Sequence, residues 1–229
     1  MENTSRSTGN HFRLELGGKW EIDDLEELVE SLRTTYAYFY WAMLDPANVD
    51  EVTKTLIVRH FWSQRWQLEQ TASELYHRIP HDARLELHSI HYASPGWIDV
   101  TGCFAAISAM AFCASRWIKV ADEGFALFRK VKKYFDDRKL NPPPPKFDLD
   151  NMPGKDIDEA RALCFEYGEA MGLPKKKIAE MIDLTGNPIS TLRLLTNLAV
   201  EARRMVKLDS KGKLKLPKPK PQDKLDSAS

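Results

Sequence analysis

Five of the six histidines fall between positions 60 and 91: His60, His77, His81, His88 and His91. Imidazole titrates near neutral pH and ligates metals, so this cluster is the first place to look for proton transfer or a metal centre. The spacing argues against a shared site. His88 and His91 are three apart, and in a strand that puts them on opposite faces unless a bulge intervenes. His77 and His81 straddle Pro80, and His60 sits in an apolar helical stretch. They read as strand and loop histidines with local hydrogen bonds. Asp99 lies among Trp97, Ile98 and Val100, where a carboxylate is either catalytic or the outward polar member of an alternating strand. Cys103, Cys113 and Cys164 form no CxxC or other metal spacing and read as buried free thiols. The chain has no GxGxxG, GxxxxGK[ST], HExxH, GxSxG or EF-hand loop. No catalytic residue, metal or cofactor is assigned on these grounds.

Two binding chemistries remain. The net charge is zero, but residues 174–229 carry 13 Lys/Arg against 6 Asp/Glu, while residues 1–173 carry 20 against 27. A basic end on an acidic body suits a polyanion partner, attraction between the two halves, or a solvated tail. Within the basic end, Ile178, Ala179, Ile182, Leu184, Ile189 and Leu192 are spaced so that residues 178–192 resemble a helix-turn-helix. The small alanine would let the second helix cross close above the first. Asp183 stands where that motif usually has its turn glycine. The resemblance implies Asn187, Ser190, Thr191, Arg193 and Asn197 on a groove-facing side, with Lys175, Lys176 and Lys177 on phosphates. Lys211, Lys213 and Lys215 would add phosphate contacts. DNA would then be bound through residues 173–217. A plain helical hairpin capping the rest of the chain is the other reading.

The second chemistry is aromatic. Tyr36, Tyr38, Phe39, Tyr40 and Trp41, with Trp62 and Trp66, are more large rings than one helix face can bury against a small sheet. Tyr and Trp are favoured at interfaces. Tyr38, Trp41, Trp62 and Trp66 are the candidate partner-binding residues, toward a protein partner or a second copy.

The elements that must position these residues follow from periodicity and punctuation. Phe12, Leu14 and Leu16 alternate with charges, as in a half-buried strand closed by Gly17-Gly18. Asp23 or Asp24 is placed to cap a helix that stops before Asp45-Pro46. Residues 48–79 suggest a helical insert. Residues 84–92 and 97–100 read as a hairpin around Ser94-Pro95-Gly96, with a switch of face near Ser89 that suits a β-bulge or a two-sided strand. A long apolar helix from Thr101-Gly102 to about residue 120 and a charged helix to about 139 complete this part. The apolar run of about 13 residues from Gly102 falls short of the ~20 needed to cross a bilayer.

Pro142 to Pro145, then Pro153-Gly154, mark a polyproline spacer. The organisation expected is therefore a disordered 1–10, an α+β domain over 11–139, a Pro-rich linker over 140–155, a helical unit over 156–217 and a disordered basic tail over 218–229. Lys211-Gly212-Lys213 could turn a small hairpin. The fold class is α+β, a small antiparallel or mixed sheet with helices packed on it, followed by an all-helical unit. Leu14-Glu15-Leu16-Gly17-Gly18-Lys19-Trp20, Asp24-Leu25 and Ala93-Ser94-Pro95-Gly96-Trp97-Ile98-Asp99 resemble the pattern of an uncharacterised bacterial α+β family over about residues 12–135. That resemblance implies the fold and brings no activity. Met1 to Asn10 are polar, without an apolar leader segment, and the free thiols fit a reducing compartment, so a cytoplasmic protein is expected.

The function expected is a non-catalytic interaction or regulatory protein that binds through aromatic helix faces. The alternative is a DNA-binding regulator using the C-terminal unit. A third is an enzyme of unfamiliar type built on Asp99 with His88 or His91.

Overall fold

A computed structural model describes residues 11–61, 72–91, 96–119, 121–140 and 152–215. Strand β1 (His11–Leu16) buries Phe12, Leu14 and Leu16 and exposes Arg13 and Glu15, the period-two pattern of a one-sided sheet. Strands β2 (Glu86–His91) and β3 (Gly96–Thr101) pair antiparallel, and β1 lies on the other side of β3 with Leu14 opposite Ile98 and Phe12 opposite Val100. A two-residue strand, β4 (Leu214–Lys215), joins the far side of β1, giving the order β2-β3-β1-β4.

The β2–β3 register slips between Leu87 and Ser89, where the sequence suggested a bulge. Leu87 faces Val100 and Ile90 faces Ile98, whereas Ser89 faces Asp99 and His91 faces Trp97. His88 is the extra residue. Leu87 and Ile90 consequently share the inner face, although three positions apart in an uninterrupted strand would place them on opposite faces.

The helices cover that inner face. α1 (Ile22–Met43) is followed by α2 (Glu51–Phe61), helical residues 72–77 (α3), α4 (Phe104–Lys119) and α5 (Ala121–Asp137). α6 (Gly154–Ala170), α7 (Lys175–Thr185) and α8 (Pro188–Ser210) follow the proline-rich stretch. α1 ends before Asp45-Pro46, as the sequence indicated, and Pro188 occupies the first turn of α8, where its missing N–H costs nothing. The start of α1 differs. Glu21 is its N-cap, and Asp24, three residues on, accepts the Glu21 backbone N–H at 3.1 Å.

α1 is enclosed on every side in its second half. All residues from 35 to 42 are buried, because α1 packs against α4, α7 and α8. The expectation that some of its rings point outward is thereby corrected. α8 is equally central, packing against α1, α4, α6 and α7. The buried apolar residues form one continuous cluster from Phe12 to Leu214. The expected boundary at the proline run therefore does not divide the core: α8 packs on α1, and β4 completes the sheet begun by β1. Lys211-Gly212-Lys213 turns the chain out of α8 and into β4 rather than forming a separate hairpin. No described helix is long and apolar enough to cross a membrane. Residues 1–10, 141–151 and 216–229, with the expectations placed on them, lie outside the described residues, as do Trp62, Trp66 and positions 92–95.

Candidate functional site

On the outer face of the sheet, the cross-strand row Arg13, Asp99, Ser89 forms a closed polar network. Arg13 donates from Nε to Asp99 Oδ1 and from Nη2 to Oδ2, each at 2.7 Å, and Ser89 Oγ donates to Oδ2 at 3.1 Å. The hydrogen bond to Asp99 raises the Arg13 guanidinium above its ordinary value. Arg13 also lies over the Trp97 ring at 4.9 Å, and His91 stacks on Trp97 at 3.9 Å with an interplanar angle of 13°. Asp99 is only 7% exposed. A fork-to-fork pair of this kind fixes strand register and occupies both carboxylate oxygens. Asp99 is thus engaged by both Arg13 and Ser89, and the His91 ring is packed on Trp97, so this row braces the pairing of β1, β3 and β2. His88 stands at the bulge. Among the described residues, no group of three or more His, Cys, Asp or Glu side chains is arranged to hold a metal ion.

Cys113 and Cys164 are buried as expected, whereas Cys103, just ahead of α4, is half-buried, which corrects the expectation for that thiol. Burial pushes the Cys113 thiol up to about 12, and Cys164, also raised by burial, donates to the Pro188 carbonyl at 3.0 Å. Thiolates are the reactive form, and burial disfavours them. A shallow cleft of about 440 Å³ opens between residues 51–55 of α2 and residues 183–186 at the end of α7, and its Lys54 ammonium is held by Glu51 at 2.8 Å.

The helix-turn-helix candidates are placed as follows. The residue with positive φ at the turn is Gly186 (φ 74°), three positions after Asp183, because α7 runs on to Thr185. Asn187 is the N-cap of α8, its Oδ1 accepting the Ser190 N–H at 2.7 Å. Ser190 and Thr191 are fully buried, and Thr191 Oγ1 lies 2.6 Å from Thr185 Oγ1. Arg193 stacks over Phe135 at 4.6 Å and donates to the Leu140 carbonyl, and burial lowers it to about 10. Asn197 is half-buried. The side implied to face a groove is therefore buried at Asn187, Ser190 and Thr191 and half-buried at Arg193 and Asn197. The physical reason is that α8 is the helix around which α1, α4, α6 and α7 pack.

The lysines are largely paired within the chain. Lys175 meets Glu169 at 3.4 Å, Lys176 meets Glu180 at 3.9 Å, and Lys177 meets Glu180 at 2.5 Å and donates to the Met43 carbonyl. Lys213 and Lys211 both reach Asp24, Lys207 reaches Glu27 and Lys215 reaches Glu15. Of the three readings of the charge asymmetry, attraction between the acidic and basic halves is the one these contacts express.

The aromatic candidates are corrected in the same way. Tyr38 is 4% exposed, and Trp41, 7% exposed, donates its indole N–H to the Leu75 carbonyl at 3.0 Å. Both are core residues of α1 and present no ring to a partner.

What sequence reasoning passed over is the edge of the sheet. Among the described residues β2 pairs only with β3, and five of its six residues are exposed. Leu87 is 58% exposed and Ile90 50%, although both stand on the inner face. The signal was present in the sequence: a strand of the pattern Glu-Leu-His-Ser-Ile-His has neither the lysine nor the proline that commonly guards an edge. Among the described residues the opposite edge is β4, of which Leu214 and Lys215 are described.

Compared with known protein families, with functionally characterised proteins and with solved structures, the chain matches none.

Proposed function

We propose that this chain is a non-catalytic protein-interaction or regulatory protein, and that it takes its partner on the β2 edge of the sheet. The observation that carries this reading is an edge strand without lysine or proline on which Leu87 and Ile90 are both half-exposed on one face. An edge strand presents a row of backbone donors and acceptors, and an added strand satisfies them while its side chains cover the apolar pair. The chemistry found elsewhere supports the same reading: Asp99, the buried thiols and the helix-turn-helix residues are all engaged in holding the fold.

The test is site-specific photocrosslinking in the cells that make the protein. A benzophenone side chain at position 90 is expected to give a discrete adduct that is lost when Leu87→Lys is added, while the same group at exposed Lys176 on α7 gives none. Absence of an adduct at 90 refutes the reading.

A further inference from the structure

Resting on this edge-binding reading, we infer that the occupant of β2 is a second copy of this chain, paired antiparallel about a two-fold axis so that Leu87 lies opposite Ile90 of the second copy and Glu86 opposite His91.

A two-fold axis perpendicular to a sheet pairs each residue with a residue on the same face of the other copy. An isologous contact therefore requires the strand to read as its own complement. β2 does so in one register. Glu86 meets His91, Leu87 meets Ile90 and His88 meets Ser89, and the same three pairs recur on the other side of the axis. Each pair is chemically matched. Leu87 and Ile90, 58% and 50% exposed, cover each other. Glu86 supplies a carboxylate acceptor to the imidazole N–H of His91, and both are exposed on the outer face.

The bulge is what makes this register available. Without the slip between Leu87 and Ser89, positions 87 and 90 would lie on opposite faces, and so would 86 and 91, so no two-fold pairing could oppose them. With it, 87 and 90 share the inner face and 86 and 91 the outer. The two sheets then run on as one, with the helices of both copies on the same side. The stacked His91–Trp97 rings hold the imidazole in place before pairing. The other edge, as far as it is described, offers two residues, one of them the charged Lys215.

A six-residue strand with one apolar pair repeated twice is a small interface, so the dimer should dissociate with a Kd on the order of 1–100 µM. Sedimentation equilibrium of the full chain across that range tests it. The wild-type protein is expected to show a monomer–dimer equilibrium, and L87K/I90K, changed only at exposed positions, should be monomeric with unaltered far-UV circular dichroism. Glu86→Lys and His91→Glu should each weaken the dimer about tenfold, since each acts at two symmetric pairs. The combined E86K/H91E variant places an ammonium opposite a carboxylate across the axis and should recover most of that loss. A simple defect in folding would not be repaired by the second change. A wild-type protein that stays monomeric, a dimer indifferent to L87K/I90K, or a double variant no better than its singles overturns the inference. If the chain is monomeric but the photocrosslinker at 90 still gives its adduct to a different protein, self-pairing fails while the edge-binding reading stands. If neither appears, both fail.

Discussion

Glu201 carries a carboxylate into the contact between α8 and α1. It is 8% exposed, with Ser31 Oγ 3.0 Å from Oε2 and Arg204 Nη1 3.2 Å from Oε1. Burial is the largest influence and raises its pKa above the ordinary carboxylate value, against the pull of Arg204 and Ser31. A carboxyl with a raised folded-state pKa resists ionisation when folded, so it lowers stability as pH rises from the ordinary range through the raised value. Glu201→Gln keeps the hydrogen-bonding shape and removes that charge. The variant should melt above wild type at about pH 7, and the difference should vanish near about pH 3.5, where both carry a neutral group. Thermal melts at the two pH values check this, and a variant less stable than wild type at neutral pH contradicts it. The same logic of engagement separates residues that look chemical from those that are free to act. Asp99 read more readily as an outward strand residue than as a catalyst, and its bonds to Arg13 and Ser89 show what the carboxylate holds in the fold.

At the scale of elements, the connection between α7 and α8 shows how one residue type sets a crossing. Gly186 closes α7 with φ 74°, and the space where a Cβ would stand is open to 4 Å. A substitution there reads backbone preference alone. Gly186→Ala should cost about 1 kcal/mol, a fall in Tm of about 2–4 °C for a chain of this size, and Gly186→Asn should cost less because Asn tolerates the left-handed region better. Equal melting temperatures for Ala and Gly at this position would show that α7 ends by some other means. Helix ends of this kind were legible from Pro and Gly, and β1 from its alternation. The change of apolar face near Ser89 was legible too, but a bulge and a two-sided strand both fitted it, and the register against β3 shows the bulge. What the bulge does to Leu87 and Ile90 was not legible, because their common face depends on how β3 registers against them.

For the whole molecule, the decisive fact is that the chain's two ends share one core. α8 packs against α1, and β4 pairs with β1. Lys213 reaches Asp24 at the start of α1, which lowers that carboxyl below its ordinary value. A chain ending at Lys139 would lose α8 and expose the surface of α1 that α8 covers. It should therefore show no cooperative thermal transition and should bind a hydrophobic dye, whereas the full chain melts cooperatively. A truncated chain with a sharp transition would mean that the α+β part holds a core of its own.

The sequence by itself determined the α+β class, the order of the elements and most of their boundaries. Those depend on side-chain period and on the backbone restrictions of proline and glycine, which act within a few residues. The tertiary structure decided which faces are buried. Tyr38 and Trp41 turn inward because α4, α7 and α8 surround α1, and Ser190 and Thr191 are buried because α8 is the centre of the helical layer. Leu87 and Ile90 remain exposed on β2, the last strand of the sheet among the described residues. Each of these outcomes is set by contacts between residues far apart in the chain, where local pattern carries no information about which neighbour arrives.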